Sequence, residues 1–127
     1  MGKKWFVPAI LGILACLTIP HPGEAETPSL SRGKETFEKR CGGCHSLDGD
    51  KEGPRLRGVY GRPSGSVSSF SYSTVLQNAH ITWDTESLDK WLTDPDKVVP
   101  DADMAFHVDK PDERRDIIAY LKELSAK

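Results

Sequence analysis

Cys41, Cys44 and His45 stand in the order Cys-Gly-Gly-Cys-His, a spacing that suits three chemistries. The two thiols could cycle as a redox dithiol. With His45 they could form part of a zinc site. They could also add across the two vinyl groups of a haem, with His45 directly behind to reach its iron. A redox dithiol of the CxxC type belongs to a βαβ unit, and no strand pattern surrounds this pair. Structural zinc needs four ligands, yet no second CxxC follows, and His80 and His107 are isolated. Haem attachment is the chemistry that the rest of the chain supports.

The second residue of chemical interest is Met104. Apart from Met1 it is the only methionine. A methionine is usually core filler, but Asp101, Ala102 and Asp103 make this a poor core segment. As a sixth ligand to iron, Met104 would complete a His/Met pair. That pair fills the coordination sphere, raises the potential and favours electron transfer over gas binding or peroxide chemistry.

The elements that must position these residues come from 127 residues, room for one small domain. Lys3 and Lys4 precede the apolar run WFVPAILGILACLTI, which Pro20 and Pro22 break, and small residues Gly23 and Ala25 precede a candidate cut. Residues 1–25 read as an export signal, leaving 26–127 as the domain. A retained membrane anchor competes less well, because the apolar run is short for a bilayer. Lipidation at Cys16 also competes less well, because Leu14 fits that motif poorly. Periplasmic location follows as an expectation. The formal charge is −2, and losing Lys3, Lys4 and Glu24 makes it one unit more negative. Nothing in that balance favours nucleic acid. Without Cys16, only Cys41 and Cys44 remain as thiols in an oxidising compartment.

Helices are expected at both ends. LSRGKETFEKR, residues 30–40, places Gly33, Phe37 and Cys41 on one face, with Ser29 or Ser31 as cap. A glycine inside a helix costs about 1 kcal/mol relative to Ala, so Gly33 suggests close approach of another backbone. Asp109 and Pro111 open the last helix, with Ile117, Tyr120, Leu121 and Leu124 on one stripe. Between them, residues 72–80 predict a short helix, and Asp84 or Thr85 opens another that Pro95 ends. Residues 46–71 and 95–106 read as loops. No strand is predicted. A long loop in so small a domain suggests that it wraps a large apolar guest.

Taken together, CGGCH, GPRLRGVYGR, FSYS, ITW, the WLTDP–PDADMAF loop and DIIAYLK resemble the class I cytochromes c, in their mitochondrial-like group with soluble bacterial carriers. The resemblance runs from about Gly33 to Lys122. It implies an all-α fold in which the first and last helices cross at Gly33, Phe37 and Tyr120. It implies one covalent haem c on Cys41 and Cys44, with His45 and Met104 on iron. The Pro54 carbonyl would accept a hydrogen bond from His45, and Arg62, Tyr72 and Trp83 would hold the propionates. The implied role is a monomeric one-electron carrier between larger redox proteins, transforming no substrate itself and touching membrane-bound partners transiently. A membrane-tethered subunit of one dehydrogenase or oxidase is the alternative, and a haem enzyme or gas-binding protein a weaker one.

Departures from the family matter too. Ala102 has no hydroxyl where many relatives carry a Thr that reaches a propionate. Trp91 stands in place of a tyrosine, so any hydrogen bond to the Met104 sulfur must come from an indole N–H. Asp103 replaces a lysine. With Asp94, Asp96 and Asp101 set against Lys97, the surface near Met104 is expected to favour neutral or basic partners.

Overall fold

A computed structural model describes residues 1–5 and 26–126. Cys16, the candidate cut after Ala25 and most of the expected export signal lie outside the described residues. No helix among the described residues is long and apolar enough to cross a membrane.

The domain is helical: α1 (Leu30–Arg40), α2 (Thr74–Gln77), α3 (Thr85–Thr93), α4 (Pro95–Val98) and α5 (Pro111–Ser125). Its first and last helices form the principal contact. A side chain at Gly33 would run into the Asp116 carbonyl oxygen and come within 2.9 Å of Tyr120 Cβ. The missing Cβ is therefore what lets α1 and α5 cross at backbone distance. One turn on, the Phe37 and Tyr120 rings pack with centroids 5.8 Å apart. The buried core continues through Ile117, Ile118 and Leu121 of α5 to Leu88, Trp91 and Leu92 of α3.

Local signals account for the helix ends. Ser29 Oγ accepts from Arg32 N at 3.3 Å. Asp84 and Ser87 form a reciprocal capping box, each side chain accepting the other's backbone N–H at 2.8 Å. Two expectations need correction. The segment from Pro95, expected as loop, begins with the helical turn Pro95–Val98, whose Asp94 cap accepts from Lys97 N. Proline fits there because the first helical position needs no N–H and wants its φ. The helix expected over 72–80 shrinks to Thr74–Gln77, leaving Tyr72 and Ser73 outside it and His80 in the left-handed region at φ 53°.

The long loop is stitched rather than free. Leu56 N and Arg57 N donate to Ser46 O and Leu47 O at 3.0 and 2.9 Å, closing its first half. Further on, Gly61 N donates to Trp83 O and Trp83 N to Arg62 O, at 2.6 and 3.0 Å. The isolated Pro63–Thr82 bridge lies between the Trp83 N–Arg62 O bond and the Ser64 N–Ile81 O bond at 2.7 Å, and is the only β pairing among the described residues.

Two buried charges brace α5, Arg114 against α3 and the loop before α5, and Asp116 against the start of α1. Arg114, 8% exposed, donates Nη1 to Val108 O at 2.8 Å and to Asp109 O at 3.0 Å. Its Nε donates to Asp89 Oδ1 on α3 at 2.8 Å. Val108 is fully buried, so Arg114→Met would leave its carbonyl unpaired where water does not reach. A loss of about 2 kcal/mol is expected in denaturant unfolding; a change within error would mean that the loop re-pairs that oxygen.

Asp116 accepts from Ser29 N at 2.8 Å and from Arg32 Nε at 2.7 Å. Burial pushes its pKa up, but the Arg32 guanidinium and the Ser29 N–H outweigh burial and hold it below the ordinary aspartate range. A depressed carboxylate contributes stability above the unfolded value near ~3.9 and loses it as pH falls through the folded value. Asp116→Asn should therefore cost about 1 kcal/mol at pH 7, discounted for the exposed Arg32. Against wild type, that difference should vanish at acid pH; a difference independent of pH would show that charge is not what Asp116 supplies.

Candidate functional site

The end of α1 runs directly into the Cys-Gly-Gly-Cys-His turn. Phe37 O accepts from Cys41 N at 2.8 Å and from Gly42 N at 3.0 Å, and Cys41 O accepts from His45 N at 2.8 Å. A Cβ at Gly42 would approach Glu38 O to 2.5 Å, so the first glycine lets the chain turn tightly against α1. Cys41, Cys44 and His45 are thereby held on the wall of one cavity.

Both thiols are free rather than joined to each other. Burial pushes Cys41 up to about 11, which keeps it a neutral thiol near pH 7. A redox dithiol needs the opposite, a thiolate stabilised at low pKa. Nor do three His, Cys, Asp or Glu side chains gather in metal-binding geometry among the described residues, as the zinc reading would require.

His45 is oriented by its neighbours. Its Nδ1–H donates to Pro54 O at 2.8 Å, leaving the Nε2 lone pair on the far side of the ring. Burial lowers its pKa, the Pro54 contact opposes that, and nearby Lys51 adds to the lowering. A neutral imidazole with one nitrogen tied to a carbonyl is the form that binds metal. Gly53 makes the arrangement possible, since a Cβ there would collide with the ring, within 2.6 Å of Nδ1.

Met104 stands on the wall of the same cavity, and its sulfur accepts the Trp91 indole N–H at 3.2 Å. Trp91 in turn packs on Trp83, with centroids 5.3 Å apart. The capped helix α3 supplies Trp91, and the loop after α4 supplies Met104.

The cavity measures about 310 Å³, and Cys41, Cys44, His45, Pro54, Arg62, Tyr72, Trp83, Trp91 and Met104 all line it. Leu56, Leu88, Leu92 and Ile117 add apolar surface. Its polar side gathers at Arg62, Tyr72 and Ser73. Arg62 Nη2 donates to Arg55 O at 2.9 Å, and burial lowers the guanidinium pKa from its usual value. Tyr72 OH accepts from Val67 N at 3.4 Å, which leaves its own proton to donate. Ser73 Oγ is buried with no hydrogen-bond partner. A buried hydroxyl without a partner costs free energy unless something fills the space beside it. An apolar hollow with an orphan hydroxyl, a phenol and a guanidinium at one side fits haem, whose ring is apolar and whose propionates are anionic.

Two residues escaped the sequence reading. Gly53 precedes Pro54, but only the folded position of the His45 ring shows why it must be glycine. Ser73 lies within the FSYS segment, and one more polar residue in a serine-rich stretch carries no signal of its own.

The chain matches the family described as Cytochrome c over residues 30–125. It is 48% identical to cytochrome c of Euglena viridis over 105 residues, covering 80% of this chain and 98% of the relative. It is 40% identical to cytochrome c of Chlamydomonas reinhardtii over 107 residues, covering 81% and 96%. Among solved structures, cytochrome cH from Methylobacterium extorquens superposes with a TM-score of 0.71 at 36% identity, covering 75% of this chain and 98% of that one. With the α1–α5 crossing and the cavity beside its Cys-Gly-Gly-Cys-His turn, these matches make the chain a class I member of the cytochrome c family, whose cofactor is a covalently bound haem c.

Proposed function

We propose that the chain is an exported one-electron carrier that shuttles between larger redox proteins in the periplasm, with His45 and Met104 as its two iron ligands. Family membership supports the coarser statement directly: this is a single-haem electron-transfer protein. When bound, haem supplies a one-electron couple at iron. The chain's own residues do the rest. Cys41 and Cys44 tether the group as thioethers. Pro54 O holds the His45 ring through Nδ1 and keeps Nε2 available. The Trp91 N–H holds the Met104 thioether, and Trp83, Trp91 and the aliphatic wall exclude water. Arg62, Tyr72 and Ser73 offer donors to the propionates.

One observation carries this reading: a His and a Met, each oriented by its own hydrogen bond, stand on the wall of the same cavity. With His45 and Met104 both on iron, no open site would remain for substrate or gas. A visible spectrum of the purified protein tests it. The weak red-end band of methionine–iron ligation is expected in the oxidised form, with no carbon monoxide adduct in the reduced form. A carbon monoxide adduct at neutral pH would instead mark an open sixth position. The mass of the native N-terminus decides between cleavage after Ala25 and a retained or lipidated segment.

A further inference from the structure

The cavity wall has an inside and a mouth. Most of its lining is buried or half-buried, but Arg40, Cys44, Glu52, Asp103, Ala105 and Phe106 are exposed. Haem seated in this cavity would be reached through this mouth, and Phe106, 43% exposed beside Ala105, gives it an apolar centre. The charge around that centre is one-sided. Arg40 pairs with Glu113 at 2.8 Å and Lys110 approaches the same carboxylate at 3.4 Å, so this trio keeps one positive charge. Lys97 is paired with Asp94 at 3.1 Å. Lys51, beside Glu52, donates to Gly42 O at 2.6 Å and is the basic group left to offset that glutamate. Among the described residues, Asp96, Asp101 and Asp103 form no ion pair; Asp101 and Asp103 lie just before Met104, and Asp101 N donates to Asp96 Oδ1 at 3.1 Å. These three carboxylates outnumber the one positive charge left on Arg40 and Lys110.

We propose that the cavity mouth centred on Phe106 and Asp103 is a docking surface for a redox protein whose own electron-entry face is rimmed by lysine and arginine. This rests on the electron-carrier reading and adds the chemistry of the partner. An apolar centre with unpaired carboxylates beside it gives a basic partner short-range contact together with long-range attraction. Opposite charge raises the encounter rate and orients the approach. The attraction acts over about 10 Å at 0.1 M salt and fades as salt rises.

Stopped-flow oxidation of the reduced holo-protein tests the surface with two small oxidants, cationic tris(phenanthroline)cobalt(III) and anionic hexacyanoferrate(III). From low to high ionic strength the cobalt rate is expected to fall roughly tenfold, while the hexacyanoferrate rate rises. Whole-protein charge would give the same sign, so two variants that each remove one negative charge separate the causes. Asp103→Asn lies at the mouth; Glu86→Gln lies on α3 outside the cavity wall. Asp103→Asn should slow the low-salt cobalt reaction about threefold and leave the spectrum unchanged, while Glu86→Gln should barely alter the rate. Equal effects of the two variants, or reversed salt slopes, would overturn the docking surface and leave the carrier reading intact. Failure to exchange electrons with either oxidant would overturn the carrier reading, and this surface with it.

Discussion

Gly33→Val is expected to cost about 3 kcal/mol or more, because overpacking here sets side chain against backbone. A Cβ at Gly33 would meet the Asp116 carbonyl carbon within 2.8 Å and Tyr120 Cβ within 2.9 Å. Neither atom is the tip of a flexible side chain. Relief requires moving α5, and moving α5 loosens the Phe37–Tyr120 contact and the Asp116 bonds to Ser29 and Arg32. Since Ile117 and Leu121 of α5 also line the cavity, the displacement would reach the haem. Guanidinium unfolding of the holo-protein should show a lower midpoint with a similar slope, and Met104 ligation should be lost earlier than in wild type. A midpoint unchanged within error would show that the crossing is not as tight as its geometry indicates.

Met104→Ala has the largest expected effect on function. It removes the thioether and leaves the Trp91 N–H without its acceptor at 3.2 Å. The potential should fall by some tenths of a volt, within the roughly 0.8 V that axial ligation spans. The red-end band should vanish and the reduced protein should bind carbon monoxide. Covalent haem should survive, because Cys41 and Cys44 are untouched, so haem stain on a denaturing gel controls for incorporation. An unchanged potential with the band intact would remove Met104 from iron. His107 would then be the next candidate, exposed near the same loop and paired to Asp109 at 3.5 Å.

Much of this was legible in order along the chain. The Cys-Gly-Gly-Cys-His spacing names a cofactor because two vinyl additions and one ligand must come from a single turn. The stripe on α5 and the cap at Asp84 are local signals, and both helices form where they indicate. Gly33 was legible as a question: a costly glycine inside a helix asks for a neighbour, and Asp116 on α5 answers it. The misjudged segments were those in which short-range signals compete. Pro95 ends one helix and equally well starts the next turn. Residues 72–80 have helical composition, but Tyr72 and Ser73 lie outside the helix, on the cavity wall, and His80 turns left-handed.

By itself the sequence determined the cofactor and the helical class, because each rests on residue types at short spacing or on periodicity within one segment; it offered Met104 as a candidate ligand because Met1 is the only other methionine. Tertiary structure alone decided that Gly53 must make room for His45, that Ser73 keeps an unpaired hydroxyl beside Arg62 and Tyr72, and that the Trp91 indole reaches the Met104 sulfur. It also decided which charges near the mouth are paired, since Arg40 and Lys110 lie far along the chain from each other yet share Glu113. Such facts depend on distances between segments brought together by folding, and no pattern within one segment encodes them.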